Sequence, residues 1–194
     1  MEDIHEFGVN TSLRTIYLHH LGGDESINWR TSSRLIKNID LLEAINHKPI
    51  TIKMIASDGG DLGEGLSMYS AIKHSPCKIH IIGYGCVCSA ATIVMQAADK
   101  RSLMRDSEFM FHHGSIWLDQ TSLAARATIQ SSTRYNKMML DIYVGRCKDG
   151  PFFKERKYSP SRIKSYLENK MRSEGDCWLT VEQSLDMGFI DEII

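Results

Sequence analysis

Three side chains of this 194-residue sequence have the types needed to activate a nucleophile, and each stands at a junction between elements. Ser89 follows Gly83-Tyr-Gly-Cys-Val-Cys88 and opens Ser-Ala-Ala-Thr-Ile-Val-Met-Gln-Ala-Ala98, where strand gives way to a buried helix. A serine there suits two roles. Its hydroxyl can cap the helix by accepting from an orphan N–H, or it can attack, because a helix N-terminus favours developing negative charge and supplies backbone donors. The surroundings are not a G-x-S-x-G elbow. His112 closes the apolar run Phe109-Met-Phe111, expected to be a central strand. Its neighbour His113 alternates to the other face, so at most one of the two serves a given site. Asp176, in Asp176-Cys-Trp-Leu-Thr180, reads as a loop carboxylate or as the group that orients an imidazole. Asp58-Gly59-Gly60 is either a plain tight turn or a loop whose backbone N–H groups approach a ligand closely. Neither G-x-G-x-x-G nor G-x-x-x-x-G-K-[ST] occurs, which disfavours phosphate cradles.

The elements that must hold these residues alternate. Arg14–Leu18, Ile50–Ile55 and Cys77–Tyr84 read as short strands, Ile50–Ile55 being rich in β-branched residues, and strands are also expected near Ser102–Arg105 and Glu108–His112, the second through its near-continuous apolar stretch. Helical spacing covers Asn28–Asn46, through Leu35, Ile36, Ile39, Leu42 and Ile45, then Leu62–Ile72 and Ser89–Ala98. Strand and helix in turn are the signature of βαβ units. Leu123–Val144 is a long helical stretch, Gly145–Pro160 is basic and loop-like, and Ser161–Arg172 resumes a helix. Thr180 is the N-cap candidate of a last short helix to Met187, before a strand at Phe189–Ile194. The first dozen residues are polar and unpatterned and are expected to form a mobile arm.

Composition bounds the function. An apolar fraction of 42% and a charged fraction of 24% are those of a globular protein, and the length fits one domain. Twenty-three basic residues against 24 acidic ones leave a formal charge of −1, which excludes the basic excess of a nucleic-acid or anionic-membrane binder. No apolar run reaches the length of a membrane span. The acidic start Met1-Glu-Asp-Ile-His-Glu6 is unlike a secretory signal, so a cytoplasmic location is expected. Five cysteines, odd in number and unevenly spread, read as reduced thiols rather than a disulfide framework. His74-x-x-Cys77-x-x-His80 with Cys86 and Cys88 has a zinc-like look, but residues three apart on a strand point to opposite faces. Structural thiols are therefore expected, and no metal is assigned.

In order along the chain, these motifs resemble the ClpP serine peptidases, the proteolytic subunits of the Clp machines. Ile55-Ala-Ser-Asp-Gly-Gly60 is similar to the family's I-N-S-P-G-G, and Gly83-Tyr-Gly-Cys-Val-Cys-Ser89-Ala-Ala91 to its G-Q-A-A-S-M-G-A with extra residues before the serine. Phe109-Met-Phe-His112 is similar to M-I-H-Q-P, Asp176-Cys-Trp-Leu-Thr180 to D-R-F-L-S, and Leu185-Asp-Met-Gly-Phe-Ile-Asp191 to A-x-x-Y-G-L-[VI]-D. The resemblance runs from about Arg14 to Ile193.

The resemblance implies an α/β fold, the ClpP/crotonase-like spiral of βαβ units, as a single peptidase domain over residues 1–194. A strand-helix handle would protrude at about 115–147, from Ile116–Leu118 and the helix after it, with a divergent insertion at about 145–160. Ser89 would be the nucleophile, His112 the general base and then acid, Asp176 the orienting carboxylate, and the amides of Gly60 and Ala90 the oxyanion hole. The implied activity is endopeptidase cleavage of unfolded polypeptides inside a homo-oligomeric ring of seven, two rings stacking as a tetradecamer and an AAA+ unfoldase feeding them. No cofactor is needed. The chain departs from the family at Gly175, where an arginine usually bonds across the ring interface, and at Asp58, where proline is usual. It departs also at Ile52, Lys53 and Met54, where tyrosines line the unfoldase-docking pocket. These departures suit two alternatives, a catalytically silent assembly subunit and a viral capsid-maturation peptidase of the same fold. An acyl-CoA enzyme of the crotonase superfamily shares the spiral but has no need of the three residues.

Overall fold

The structure, a computed structural model, describes residues 2–18, 26–115, 119 and 121–194. Residues 19–25 and the expected handle strand at Ile116–Leu118 lie outside the described residues. Glu2–Phe7 forms a short helix, α1, and Val9–Asn10 a strand, β1, antiparallel to Thr15–Leu18, β2. Residues 2–12 thus form ordered elements rather than a mobile arm. Buried Val9 and a 2.7 Å hydrogen bond from the Tyr17 N–H to the Gly8 carbonyl hold it, local features too few to set up a period.

Trp29–Ile45 is α2, opened by a capping box in which Asn28 and Thr31 satisfy each other's backbone N–H groups. Its apolar face buries Leu35, Ile39 and Leu42. At its far end the buried Arg14 guanidinium donates to the carbonyls of Leu42, Asn46 and Lys48 at 2.9, 3.0 and 2.8 Å. A cation at the C-terminal end of α2 is favourably placed against the helix dipole.

Ile50–Ser57 (β3), Leu62–His74 (α3), Ile79–Cys88 (β4), Ala90–Gln96 (α4), Lys100–Leu103 (β5) and Glu108–Phe111 (β6) follow in the expected alternation. Ser122–Cys147 is the long α5; Pro151–Glu155 (α6), Pro160–Glu174 (α7), Cys177–Leu179 (β7), Val181–Asp186 (α8) and Glu192–Ile193 (β8) complete the chain. The sheet runs β1-β2-β3-β4-β5-β8, parallel from β2 onward; β6 branches from β4, parallel to it, and β7 pairs antiparallel with β6. The helices cover it, and one apolar core runs from Ile16 and Leu35 to Phe153 and Phe189. Among the described residues no helix is long and apolar enough to cross a membrane.

At three further places the structure corrects or adds to the sequence-based reading. Residues 145–160 are no loop: α5 continues to Cys147, and Gly150 starts α6 with Pro151 in its first turn and Phe153 fully buried. The segment after Asp176 is a strand, because Cys177 and Leu179 alternate inward with exposed Trp178 between them. Ile52 and Met54 point into the core, fully buried, and the outer face of β3 carries Lys53, whose ammonium lies 5.8 and 5.9 Å from the rings of Tyr17 and Tyr84. The register of β3 on β4 shifts between Ile55 and Ser57, around Ala56 with φ 45°, so parity counted back from the glycines is off by one.

Asp191 joins the last strand to the core. Buried Arg101 is paired with its carboxylate, and the Arg101 backbone N–H donates to Oδ2 at 2.8 Å. The same guanidinium donates to Gln96 Oε1 at 2.6 Å and to the Gly188 carbonyl at 2.9 Å. Burial pushes the Asp191 carboxyl up, but the hydrogen bond and charge of Arg101 outweigh it and hold the pKa below its ordinary value. With a folded-state pKa lower than the unfolded one, this stabilisation is complete above the unfolded value and is lost as pH falls through the folded one. Asp191→Ala leaves Arg101 buried without its carboxylate and is expected to cost about 2–4 kcal/mol, less than a fully enclosed pair because Asp191 is itself partly exposed. Urea denaturation should show a lowered midpoint at unchanged slope at pH 7, with the gap to wild type narrowing as pH falls below about 4.

Candidate active site

Ser89, His112 and Asp176 come together at the ends of three neighbouring strands. Ser89 Oγ lies 2.8 Å from His112 Nε2, and His112 Nδ1 lies 2.9 Å from Asp176 Oδ1. An ionised carboxylate only accepts hydrogen bonds, so Nδ1 carries the proton that faces Asp176. That tautomer leaves Nε2 as an acceptor for the Ser89 hydroxyl.

Strand pairing sets this alignment. Cys86–Cys88 of β4 run parallel to Glu108–Met110 of β6, and the Ser89 N–H donates to the Met110 carbonyl at 2.8 Å. On its other edge β6 pairs antiparallel with β7, Phe111 opposite Cys177, so one step further His112 meets Asp176. Gly175 ends α7 in the left-handed region at φ 72°, turning the chain into β7 directly before Asp176. Behind the histidine, Phe111 stacks against Phe189 and meets the edge of Tyr143, whose hydroxyl bonds Thr92 Oγ1 at 2.6 Å. This packing fixes β6 against α4 and α5.

Ser89 is not a helix cap. Its side chain makes no capping hydrogen bond, and its backbone, at φ 54° and ψ −126°, is far from the extended conformation of an N-cap. A non-glycine residue in that region is strained by roughly 1–3 kcal/mol, and such strain collects at functional positions. Opposite it, Gly59 has φ 93°, and a Cβ there would sit 2.6 Å from Ser89 Cβ and 2.7 Å from the Cys88 carbonyl oxygen. Gly60, at φ 143°, is as constrained, with a Cβ at 2.4 Å from the Ile27 carbonyl oxygen. The Ile27 N–H donates to Gly59 and the Asp61 N–H to Ile27, which pins the residues on either side of Gly60.

Gly60, Ser89, Ala90 and His112 line one side of a cavity of about 510 Å³. His113 does not border it, so of the adjacent histidines only His112 faces the serine. The opposite wall is α5, through Thr128, Ser131, Ser132, Tyr135 and Met139. These residues were missed in the sequence, although their spacing of three and four marks a single helix face. The Gly114 N–H donates to Asn136 Oδ1 at 3.2 Å and ties that wall to the segment after His112.

All five cysteines are free thiols, four of them buried and Cys86 half-buried. His74 and His80 do not converge on Cys77: His74 Nδ1 lies 2.8 Å from the Ser70 carbonyl, and His80 Nε2 lies 2.8 Å from Ser102 Oγ. Burial, with the neighbouring Cys86 thiol, pushes the Cys88 pKa up to about 12. Burial and the Asp58 carboxylate also raise that of Cys86.

Comparison with known proteins agrees with this arrangement of strands. The chain is 26% identical over 174 residues to ATP-dependent Clp protease proteolytic subunit 2 of Treponema denticola, covering 86% of this chain and 77% of that protein. It is 25% identical over 184 residues to ATP-dependent Clp protease proteolytic subunit 1 of Corynebacterium jeikeium, covering 93% and 87%. A ClpP1 mutant from Listeria monocytogenes shares the fold, with a TM-score of 0.73 over 95% of this chain and 92% of that one at 23% identity. The family model described as Clp protease matches residues 13–194, nearly the whole sequence, and the chain belongs to that family.

Proposed function

We propose that this chain is a serine endopeptidase that cleaves unfolded polypeptides with Ser89 as nucleophile, His112 as general base and acid, and Asp176 as the carboxylate that orients the imidazole. Membership of the Clp protease family supports a peptidase. The observation that carries the serine chemistry is the continuous hydrogen-bond chain from Ser89 Oγ through His112 to Asp176 Oδ1. As Oγ attacks the scissile carbonyl carbon, its proton passes to His112 Nε2. Asp176 holds the proton on Nδ1 and stabilises the imidazolium that results. The carbonyl oxygen becomes an oxyanion, and the N–H groups of Gly60 and Ala90, two residues that line the same cavity, are the donors assigned to it. The C–N bond then breaks, with His112 returning its proton to the leaving amine. Water, deprotonated by the same imidazole, releases the acyl group from Ser89.

The reading takes residues 1–194 as one peptidase domain with α5 as its handle. Only Met139, Leu140, Tyr143 and Cys147 of α5 are buried, all in its second half, while Leu123, Ile129 and Met138 are exposed large apolar side chains. Exposed apolar side chains of this kind suit contact with further copies of the chain, in the ring of seven and the two-ring stack that the family resemblance implies. Gly175, in place of the usual arginine, offers no side chain to a ring–ring contact. An AAA+ unfoldase as feeding partner and a cytoplasmic setting belong to the same proposal. The outer face of β3, with Lys53 between two tyrosine rings, would present a cation where the family's docking pocket is apolar. No cofactor is invoked.

Three tests follow from the geometry. Ser89→Ala and His112→Ala should each abolish labelling by a fluorophosphonate probe and lower peptide hydrolysis by on the order of 10⁴–10⁶-fold, whereas His113→Ala should leave both intact. Unchanged turnover in Ser89→Ala would overturn the assignment; mass spectrometry of the adduct locates the labelled residue. Asp176→Asn should lower kcat by roughly 10³–10⁴-fold with little change in KM, because the amide can hold the imidazole in the wrong tautomer. Gly59→Ala should displace Ser89 and cost about 10²-fold or more in kcat/KM, while circular dichroism reports a retained fold.

A further inference from the structure

Where β3 and β4 end, the structure gathers three side chains that the proposed peptidase chemistry does not use. Asp58, Cys86 and Cys88 bring one carboxylate oxygen and two sulfurs within 4.8 Å of one another, with Cys86 Sγ 3.2 Å from Asp58 Oδ1. None of the three lines the cavity that holds Ser89. Alternation places Cys86 and Cys88 on one face of β4, opposite Val87, which is fully buried in the core. The pairing of Ser57 with Val87 sets Asp58 beside them. Glu108, level with Cys86 across the β4–β6 pair, adds a second carboxylate to the same edge. Cys88 is buried, Cys86 half-buried and Asp58 exposed, so the cluster opens to solvent on its carboxylate side.

We infer that Asp58, Cys86 and Cys88 form a binding site for a thiophilic divalent cation of the zinc type. Two sulfurs and one carboxylate oxygen are a tetrahedral zinc donor set with one position left for water. Zinc–sulfur bonds of about 2.3 Å put tetrahedral donors roughly 3.8 Å apart, so the widest separation in the cluster needs to close by only about 1 Å. Binding forms two Zn–S bonds and one Zn–O bond, and the two thiol protons pass to solvent, which makes affinity rise with pH. The ion ties the turn that carries Gly59 and Gly60 to the end of the strand that presents Ser89. It takes no part in peptide cleavage, and binding does not depend on Ser89.

The test uses the full chain, reduced, stripped with a chelator and titrated with Co²⁺. Thiolate-to-cobalt absorption should saturate at one ion per chain and disappear on adding Zn²⁺. Cys86→Ser, at a half-buried position where serine is tolerated, should abolish those bands. Asp58→Asn should weaken binding by about 10-fold or more. Ser89→Ala and Cys177→Ser should bind as wild type does. Absence of thiolate–cobalt bands in the wild type, their survival in Cys86→Ser, or unchanged affinity in Asp58→Asn overturns the site. Circular dichroism of each variant separates loss of ligand from loss of fold, and Ser89→Ala separates this site from the peptidase reading.

Discussion

On the side away from β3, the strand β4 has one hydrogen-bonding edge, and two strands share it. His80–Gly83 pair with β5, and Cys86–Cys88 pair with β6. The hand-over falls at Gly85, which at φ 69° bends the strand between its two partners. Nearly everything at the site depends on this division. Had β5 taken the whole edge, β6 would have no seat beside Cys88, the Ser89 N–H would lose the Met110 carbonyl, and β7 would have no strand on which to carry Asp176. The bulge at Ala56 is the matching adjustment on β3, since a kinked strand keeps its neighbour only if that neighbour bends with it.

Against this frame the cost of Ser89 becomes intelligible. Its left-handed backbone is held because both sides of it are fixed: the strand before it by β3 and β6, the helix after it by the core, in which Ala90 and Ala91 are buried. Gly59 fits against the serine only because it has no side chain. The strain, the glycine and the shared strand edge are one construction. It turns a hydroxyl away from the helix it would otherwise cap and toward an imidazole.

What could be read from the sequence was whatever repeats or stands next to a landmark. The periods of α2 and α3, the β-branched runs of β3 and β4, and the Thr180 cap were legible because each is written in consecutive residues. So were the three polar residues of the site, once their motifs were seen in order. Their mutual distances were not, because the contact between His112 and Asp176 spans 64 positions and exists only through the β6–β7 register. The inward placement of Ile52 and Met54 was hidden by an alanine in a conformation that alanine rarely adopts. The cluster at Asp58 was hidden for a related reason: Cys86 and Cys88 are visible as a pair, but their carboxylate comes from the neighbouring strand.

The order of the three groups along the chain has a consequence for synthesis. Ser89 and His112 leave the ribosome well before Asp176, which follows the long α5 and α7. A growing chain therefore carries Ser89 and His112 before Asp176 exists to meet them. The cluster is completed only when β7 docks on β6, so the three side chains meet only after α5, α6 and α7 have been made.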